Sequence, residues 1–186
     1  MARETSIINL GYINLSNKVV VSDPCYPRGT WCMFMDMAVK PGRYAAFISK
    51  KDEGVSGIRV ASLIVVHTDF VKALKVDWEP YDGYLGENTG QCGIFDNAVY
   101  PAKGKPIGEY GDLESFYGEC CNLTFSKDDG GILKNCDGIV SASGYGDGSY
   151  KLCCQYHDGE RIALMIDYYV EDRDVVTKAL LKQLTS

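Results

Sequence analysis

The fold is decided by the stretch SGYGDGSYKLCCQYHDGERIALMIDYY, Ser143–Tyr169. Residues 150–156 and 161–169 are rich in aromatic and β-branched side chains, a composition that favours strands. Asp158-Gly159 between them is typical of a two-residue turn in which both residues have positive φ. The stretch therefore predicts one antiparallel β-hairpin.

A two-residue turn also predicts the register of this hairpin. His157 then pairs with Glu160, and Tyr150 lies opposite Asp167. Because side chains alternate along a strand, one face is predicted to carry Tyr150, Leu152, Cys154, Arg161, Ala163, Met165 and Asp167, and the other Cys153, Ile162, Leu164 and Ile166. Both faces are largely apolar, which favours a central position in the sheet.

A glycine-rich segment, Gly144–Gly148, leads into the hairpin. Three glycines in five residues allow positive φ and a close approach of the backbone to another group. Two interpretations stay open. The segment is either a tight turn or bulge, or a ligand-facing loop that places Asp147 beside the Tyr150–Asp167 pair.

The rest of the chain predicts further short strands, among them 18–22, 43–49 and 58–67. Asp112 is predicted to cap a short helix ending at Tyr117. Residues 172–184 have helical spacing, with acidic residues first and lysines later. With 186 residues and no evident linker, we expect a single domain spanning 1–186. The fold class is mainly β, an antiparallel β-sandwich or open barrel with a C-terminal helix.

Charge and cysteine usage limit the partners. The net charge of −6 argues against binding nucleic acid or an anionic membrane, which needs a basic surface. The sequence contains no apolar run long enough to span a bilayer and no signal-peptide h-region, so we expect a cytoplasmic location with reduced thiols. The eight cysteines include no CxxC pair, and we expect no metal and no cofactor.

Four stretches of the chain resemble one family. SGYGDGSY followed by IALMIDY is similar to the C-terminal signature of a bacterial and phage family, domain of unknown function 4241. VVVSDPCY (Val19–Tyr26), GENTGQCGIFD (Gly86–Asp96) and KPGRY (Lys40–Tyr44) also fit its pattern, in order. The resemblance covers about Val19 to Tyr169 and implies a β-rich domain in which these motifs meet. It implies no activity.

The motifs also indicate where a ligand would bind. Three stretches, Asp23–Tyr26, Gln91–Asp96 and Gly144–Gly148, pair glycine or proline with aspartate at inferred strand ends, where site residues are common. We expect them to meet at one end of the sandwich, with Tyr150 and Asp167 as the floor. The predicted ligand-binding residues are Asp23, Cys25, Tyr26, Gln91, Asp96, Tyr145, Gly146, Asp147, Tyr150 and Asp167. Five tyrosines are expected to line a concave site: Tyr26, Tyr81, Tyr84, Tyr145 and Tyr150.

Three classes of function fit these patterns. The first is non-catalytic binding of a small polar or anionic ligand, such as a nucleotide signal sequestered by a phage protein. The second is a hydrolase or metal-dependent enzyme that uses clustered aspartates, namely Asp23, Asp96, Asp147 and Asp167. The third is a structural or interaction protein without a ligand. A cysteine nucleophile, Cys25 or Cys92, lacks a well-placed base, because His157 lies at the hairpin tip and His67 ends a strand.

Overall fold

The computed structural model describes residues 5–170 and 173–185. This part of the chain contains twelve strands, two α-helices and two short 3-10 helices. The strands are β1 (Thr5–Leu15), β2 (Lys18–Ser22), β3 (Phe34–Ala38), β4 (Gly42–Asp52), β5 (Ile58–His67), β6 (Glu79–Pro80), β7 (Leu85–Glu87), β8 (Gln91–Asp96), β9 (Gly130–Ile132), β10 (Gly138–Ala142), β11 (Gly148–His157) and β12 (Glu160–Asp167). The helices are α1 (Phe116–Thr124) and α2 (Arg173–Thr185), and the 3-10 helices span Gly54–Ser56 and Thr68–Ala73.

Two antiparallel sheets stack face to face, which confirms the predicted sandwich with a C-terminal helix. The larger sheet has the order β1-β4-β5-β12-β11-β6, and β7 also pairs with β11. The smaller sheet has the order β3-β2-β8-β10-β9. Between them lies a core that includes Ile48, Leu63, Ile94, Leu152 and Ile166, all fully buried. Burial of such side chains is the main stabilising term of the fold.

Each outer sheet face has its own cover. On the larger sheet, Val176 and Leu180 of α2 pack with Phe47, Ile64 and Met165. Apolar residues on both faces of the central strands are therefore explained by two separate cores, as the sequence predicts for the hairpin. The predicted start of α2, Asp172, lies outside the described residues.

The smaller sheet is covered by α1, which differs from the predicted helix. Ser115, not Asp112, is the N-cap, and its hydroxyl accepts a hydrogen bond from the Gly118 amide at 3.1 Å. The helix continues past Tyr117 to Thr124. Its buried Cys120 packs against the outer face of the smaller sheet. Serine is as good a cap as aspartate, so the residue type alone could not decide between the two positions.

The central hairpin, β11–β12, forms as predicted at its tip but not along its length. His157 pairs with Glu160, and then a β-bulge shifts the register, so that Lys151 rather than Tyr150 lies opposite Asp167. The predicted faces of β12 are consequently wrong. Leu164 and Ile166 join Leu152 and Cys154 in the core between the sheets, whereas Ala163 and Met165 join Cys153 under α2. One extra residue in one strand is enough to exchange its two faces.

The turn of this hairpin gives a direct stability test. Asp158 and Gly159 have φ of 49° and 80°, which confirms the predicted positive values. We expect Gly159→Val to lower the free energy of unfolding by about 1–3 kcal/mol, because a β-branched residue strongly disfavours this conformation. Gly159→Asn is the control, since asparagine tolerates it. Denaturant unfolding measures both; equal stability of the two variants would contradict the assigned turn.

Candidate functional site

Three loops meet at one end of the sandwich. The first follows β2 at Asp23, the second joins β7 to β8, and the third is the glycine loop, Gly144–Gly148. The backbone N–H groups of Asn88 and Thr89 donate to the Asp23 carboxylate at 2.9 and 2.8 Å. The N–H of Ser143 donates to the Gly90 carbonyl at 2.8 Å. The structure therefore brings together the stretches that the sequence places in one site.

Asp23 acts as an internal crosslink in this junction. It is fully buried, and its carboxylate also accepts from the Cys25 N–H at 2.9 Å and from the Thr89 hydroxyl at 2.8 Å. Pro24 holds Asp23 in extended geometry and so aims the carboxylate along the turn. Its oxygens are occupied by donors of the protein itself. Asp23 consequently positions the loops and does not offer a free charge to a ligand.

The two residues that follow the turn are poorly suited to chemistry. Burial, followed by the neighbouring Asp23 charge, raises the pKa of the Cys25 thiol far above its usual value. Burial raises the pKa of Tyr26 as well, and the Cys32 thiol adds to the effect. Burial also raises the pKa of Cys92, which is fully enclosed. A thiol is a weak nucleophile unless it ionises, so neither cysteine has the surroundings of a catalytic nucleophile.

Gln91 belongs to the junction but is held by the protein. Its side-chain amide donates to the Thr89 hydroxyl at 3.3 Å and to the Cys121 thiol at 3.4 Å. Its amide oxygen accepts from the Thr124 hydroxyl at 3.4 Å. These contacts tie the start of β8 to α1. Gln91 is therefore a structural link between the junction and the helix that covers the smaller sheet.

Asp96 lies away from the junction, so the prediction that it shares the site is wrong. In the β2–β8 pair, Ser22 is opposite Gly93, whereas Asp96 is opposite Val19 at the other end. Its carboxylate accepts from the N–H groups of Ser16 and Ala98 at 2.5 and 2.9 Å. The sequence motif contains both ends of one strand, and an extended strand carries its two ends in opposite directions.

A cleft of about 540 Å³ opens beside the glycine loop. It is lined by Tyr84, Tyr145, Ser149, Tyr150, Lys151, Asp167, Tyr168, Tyr169 and Val170. Three of the five tyrosines expected to line a concave site are among them; Tyr26 and Tyr81 are not. Tyr81 instead packs edge-on against Phe34, with ring centroids 5.0 Å apart.

Three of the cleft tyrosines are fixed by hydrogen bonds. The hydroxyl of Tyr150 donates to the Gly146 carbonyl at 2.5 Å, and that of Tyr145 donates to Glu53 at 2.8 Å. The hydroxyls of Tyr168 and Ser141 share a bond of 3.0 Å. Tyr145 is therefore a preformed part of the wall, because little side-chain entropy remains to be lost on binding. Tyr150 and Tyr168 are buried in the core between the sheets and support the wall from behind.

The outer part of the cleft is more accessible. Tyr84 and Tyr169 are 60% and 55% exposed. The Tyr145 and Tyr169 rings lie 5.3 Å apart with a tilt of 48°, and the Lys51 ammonium lies 5.1 Å from the Tyr169 ring centre. The mouth of the cleft therefore presents aromatic faces to solvent, and the cation behind them, Lys51, is buried and paired with Glu53 at 3.0 Å.

The charges of the cleft are unequally matched. Asp167 is paired with the Arg173 guanidinium at 2.6 and 2.9 Å and also accepts from the Val170 N–H at 2.7 Å. Lys151, opposite Asp167 in the hairpin, is exposed and has no ion pair within residues 5–170 and 173–185. With Asp167 neutralised, the unmatched charge of the lining is positive.

Glu87 is the residue of this region that the sequence reasoning missed. It ends β7 opposite Gly148, is 5% exposed, and both carboxylate oxygens lack a hydrogen-bond partner in the described chain. Burial, followed by the charge of Asp23, raises its pKa to about 7. The Gln91 N–H and the Ser143 hydroxyl offset this slightly, but neither lies in hydrogen-bonding geometry. Its place in a polar loop sequence, GENTG, gave no sign of burial.

The described residues were compared with the requirements of a metal site and of a membrane-spanning helix. Among them, no three histidine, cysteine, aspartate or glutamate side chains are grouped as a metal site requires. None of the described helices has the length and apolar character needed to cross a bilayer. All eight cysteines are free, and Cys153 and Cys154 point to opposite faces of β11, as predicted.

The fold and the cleft define a two-sheet sandwich with a tyrosine-lined cleft at one end. Comparison with family models, curated proteins and solved structures gives no match to this chain.

Proposed function

We propose that this protein binds a small polar or anionic ligand in the tyrosine-lined cleft, and that the ligand is of the nucleotide class. The observation that carries the proposal is the combination of the accessible rings of Tyr84, Tyr145 and Tyr169 with the unmatched Lys151 charge. A planar base stacks on tyrosine faces, and a phosphate pairs with an ammonium group. The volume of the cleft is in the range typical of small-molecule sites.

The carboxylate arrangement favours binding over hydrolysis. The four aspartates considered for catalysis are not grouped around one point: Asp96 is at the far end of β8, Asp23 is saturated with donors, and Asp167 is paired with Arg173. Two-carboxylate hydrolysis needs both groups on either side of the reacting bond. A non-catalytic role, such as sequestration of a nucleotide signal, needs only the cleft.

The resemblance to domain of unknown function 4241 is part of the same proposal. The motifs that carry it, Val19–Tyr26, Gly86–Asp96 and Ser143–Tyr150, are far apart in the chain. They are joined in space through the hydrogen bonds of Asp23 and Ser143. If the junction of these motifs holds the wall of a binding site, that role would explain why the motifs occur together as a family signature.

The proposal is tested with a ligand panel and one lysine. Thermal-shift measurements would use ribonucleoside monophosphates, cyclic mononucleotides, the parent nucleosides and inorganic phosphate. We expect a nucleotide to raise the melting temperature most, because it alone uses both the rings and Lys151. At 100 times Kd the stabilisation is about 2.7 kcal/mol, which is easily measured.

Lys151→Gln is expected to weaken binding of the best nucleotide about tenfold, since one charge-assisted contact is lost. Binding of the uncharged nucleoside should change little. Lys127→Gln is the matched control, because Lys127 is also an exposed lysine but lies outside the cleft lining. Isothermal titration calorimetry gives both Kd values. The proposal fails if no compound of the panel binds, or if Lys151→Gln binds the nucleotide as tightly as Lys127→Gln.

A further inference from the structure

The glycine loop is closed by hydroxyl groups that bond to one carbonyl. The Ser143 hydroxyl donates to the Gly146 carbonyl at 3.1 Å and accepts from the Gly146 N–H at 3.1 Å. The Tyr150 hydroxyl donates to the same carbonyl. A serine hydroxyl has a single hydrogen to donate, so Ser143 can serve Gly146 or another acceptor, but not both.

The competing acceptor is next to it. Glu87 is paired with Gly148 across β7 and β11, and its two buried oxygens have no hydrogen-bond partner in the described chain. The Ser143 hydroxyl is close enough to lower the pKa of Glu87, which opposes the larger effect of burial. A protonated carboxyl tolerates this position, whereas a buried carboxylate without donors is costly. The ionised Glu87 carboxylate therefore competes with the Gly146 carbonyl for the hydrogen bond that Ser143 donates.

The groups around Glu87 provide no positive charge that could stabilise its ionised carboxylate in the closed loop. The titratable groups that interact with it come from every element packed there: Asp23 after β2, Cys92 of β8, Asp147 of the glycine loop, Tyr150 of β11 and Tyr168 after β12. None of these five is a cation, and Asp23 is the strongest charge influence. Ionised Glu87 and Asp23 repel each other. This repulsion, and the cost of burying the charge, decrease if the loop opens and water enters.

We propose that Glu87 is a proton-operated switch of the glycine loop: the protonated carboxyl leaves the loop closed, and ionisation turns the Ser143 hydroxyl away from Gly146 and opens it. The consequence for the cleft rests on the proposed function. Tyr145 belongs to the loop, and Tyr150 is held by it, so opening displaces two walls of the cleft and weakens ligand binding.

The direction and size of the effect follow from linkage. The pKa of Glu87 is raised from 4.5 to about 7 in the closed structure. The closed state therefore binds the proton more tightly, and closure is favoured at low pH and lost as the pH rises through 7. If the opened loop returns the group to its ordinary pKa, the opening constant increases about tenfold between pH 6 and pH 8.

Amide hydrogen exchange of residues 144–149 measures this opening without a ligand. After correction for the intrinsic exchange rate, we expect about tenfold less protection at pH 8 than at pH 6. Glu87→Gln should remain closed at both pH values, because the amide is neutral. Ser143→Ala should be less protected than the wild type at pH 6, because one of the two hydroxyls that close the loop is absent. Glu79→Gln, an exposed glutamate of β6, is the control and should behave as the wild type.

The outcomes separate the switch from the proposed function. Equal protection of the wild type at both pH values, or a loss of protection that persists in Glu87→Gln, overturns the switch. Binding of a cyclic mononucleotide, whose phosphodiester charge is constant over this range, should weaken from pH 6 to pH 8 in the wild type, by up to tenfold according to the fraction of open loop, and not in Glu87→Gln. Binding that does not depend on pH overturns the link to the cleft. If no nucleotide binds while the exchange result holds, the proposed function fails and the loop switch stands.

Discussion

Asp23→Ala is expected to lower the free energy of unfolding by about 3–5 kcal/mol. The substitution removes the buried carboxylate that accepts from three partly buried backbone N–H groups, those of Cys25, Asn88 and Thr89, and from the Thr89 hydroxyl. Loss of one buried charged group that serves several donors is among the most costly single changes in proteins. Urea unfolding of the wild type and the variant at the same pH measures the effect.

Asp147→Asn is the matched control for this prediction. Asp147 is exposed, and its side chain has no hydrogen bond or ion pair within the described residues. We expect a change within about 0.5 kcal/mol, as for most surface substitutions. A loss below about 1 kcal/mol for Asp23→Ala, or equal losses for the two variants, would show that Asp23 does not hold the three loops together.

Gly144→Ala is expected to be at least about 3 kcal/mol more destabilising than Gly146→Ala. Both residues have positive φ, 73° and 81°, so both substitutions carry the cost of a left-handed alanine, about 1–2 kcal/mol. A Cβ added to Gly144 would lie 2.1 Å from the Val60 carbonyl oxygen and 2.8 Å from the Val60 nitrogen. A Cβ added to Gly146 would meet nothing within 4 Å.

The contrast isolates close packing of the glycine loop on β5. Because the clash is with backbone atoms, it cannot be relieved by a side-chain rotation, and the loop or the strand must move. Thermal and denaturant unfolding of the two variants give the difference. A Gly144→Ala variant that does not fold, beside a folded Gly146→Ala, meets the same expectation. Similar stabilities would contradict the observed contact.

The hairpin shows how far sequence patterns lead. Asp158-Gly159 predicts the turn and its positive φ values because the preference is local to two residues. The bulge beyond Tyr156 has no such local signal, since no glycine marks it. It depends on how β12 is shared between β11 and β5. The faces of β12, and with them the partner of Asp167, were therefore beyond a prediction from alternation alone.

The junction shows a second limit. Glycine or proline beside aspartate correctly indicated strand ends, and the stretches of Asp23, Gln91 and Gly144–Gly148 do meet. Whether a strand end lies at the junction depends on how the strands pair in the sheet. Asp96 lies at the end of β8 that points away from the junction. Burial of a charged residue is also a property of the whole fold. Glu87 is enclosed by segments that are distant in the chain, so its sequence context gave no sign of it.

The pairing of β5 with β12 sets the order in which this protein can assemble. Val66 and Ala163 are neighbours in the sheet but about a hundred residues apart in the chain. On a ribosome, the β4–β5 hairpin can form early, whereas the larger sheet must wait for the emergence of β12. Strands that are distant in the chain pair slowly, because the conformational entropy of the long loop between them is lost before the stabilising contacts form. The glycine loop and the cleft therefore acquire their shape among the last events of biosynthesis.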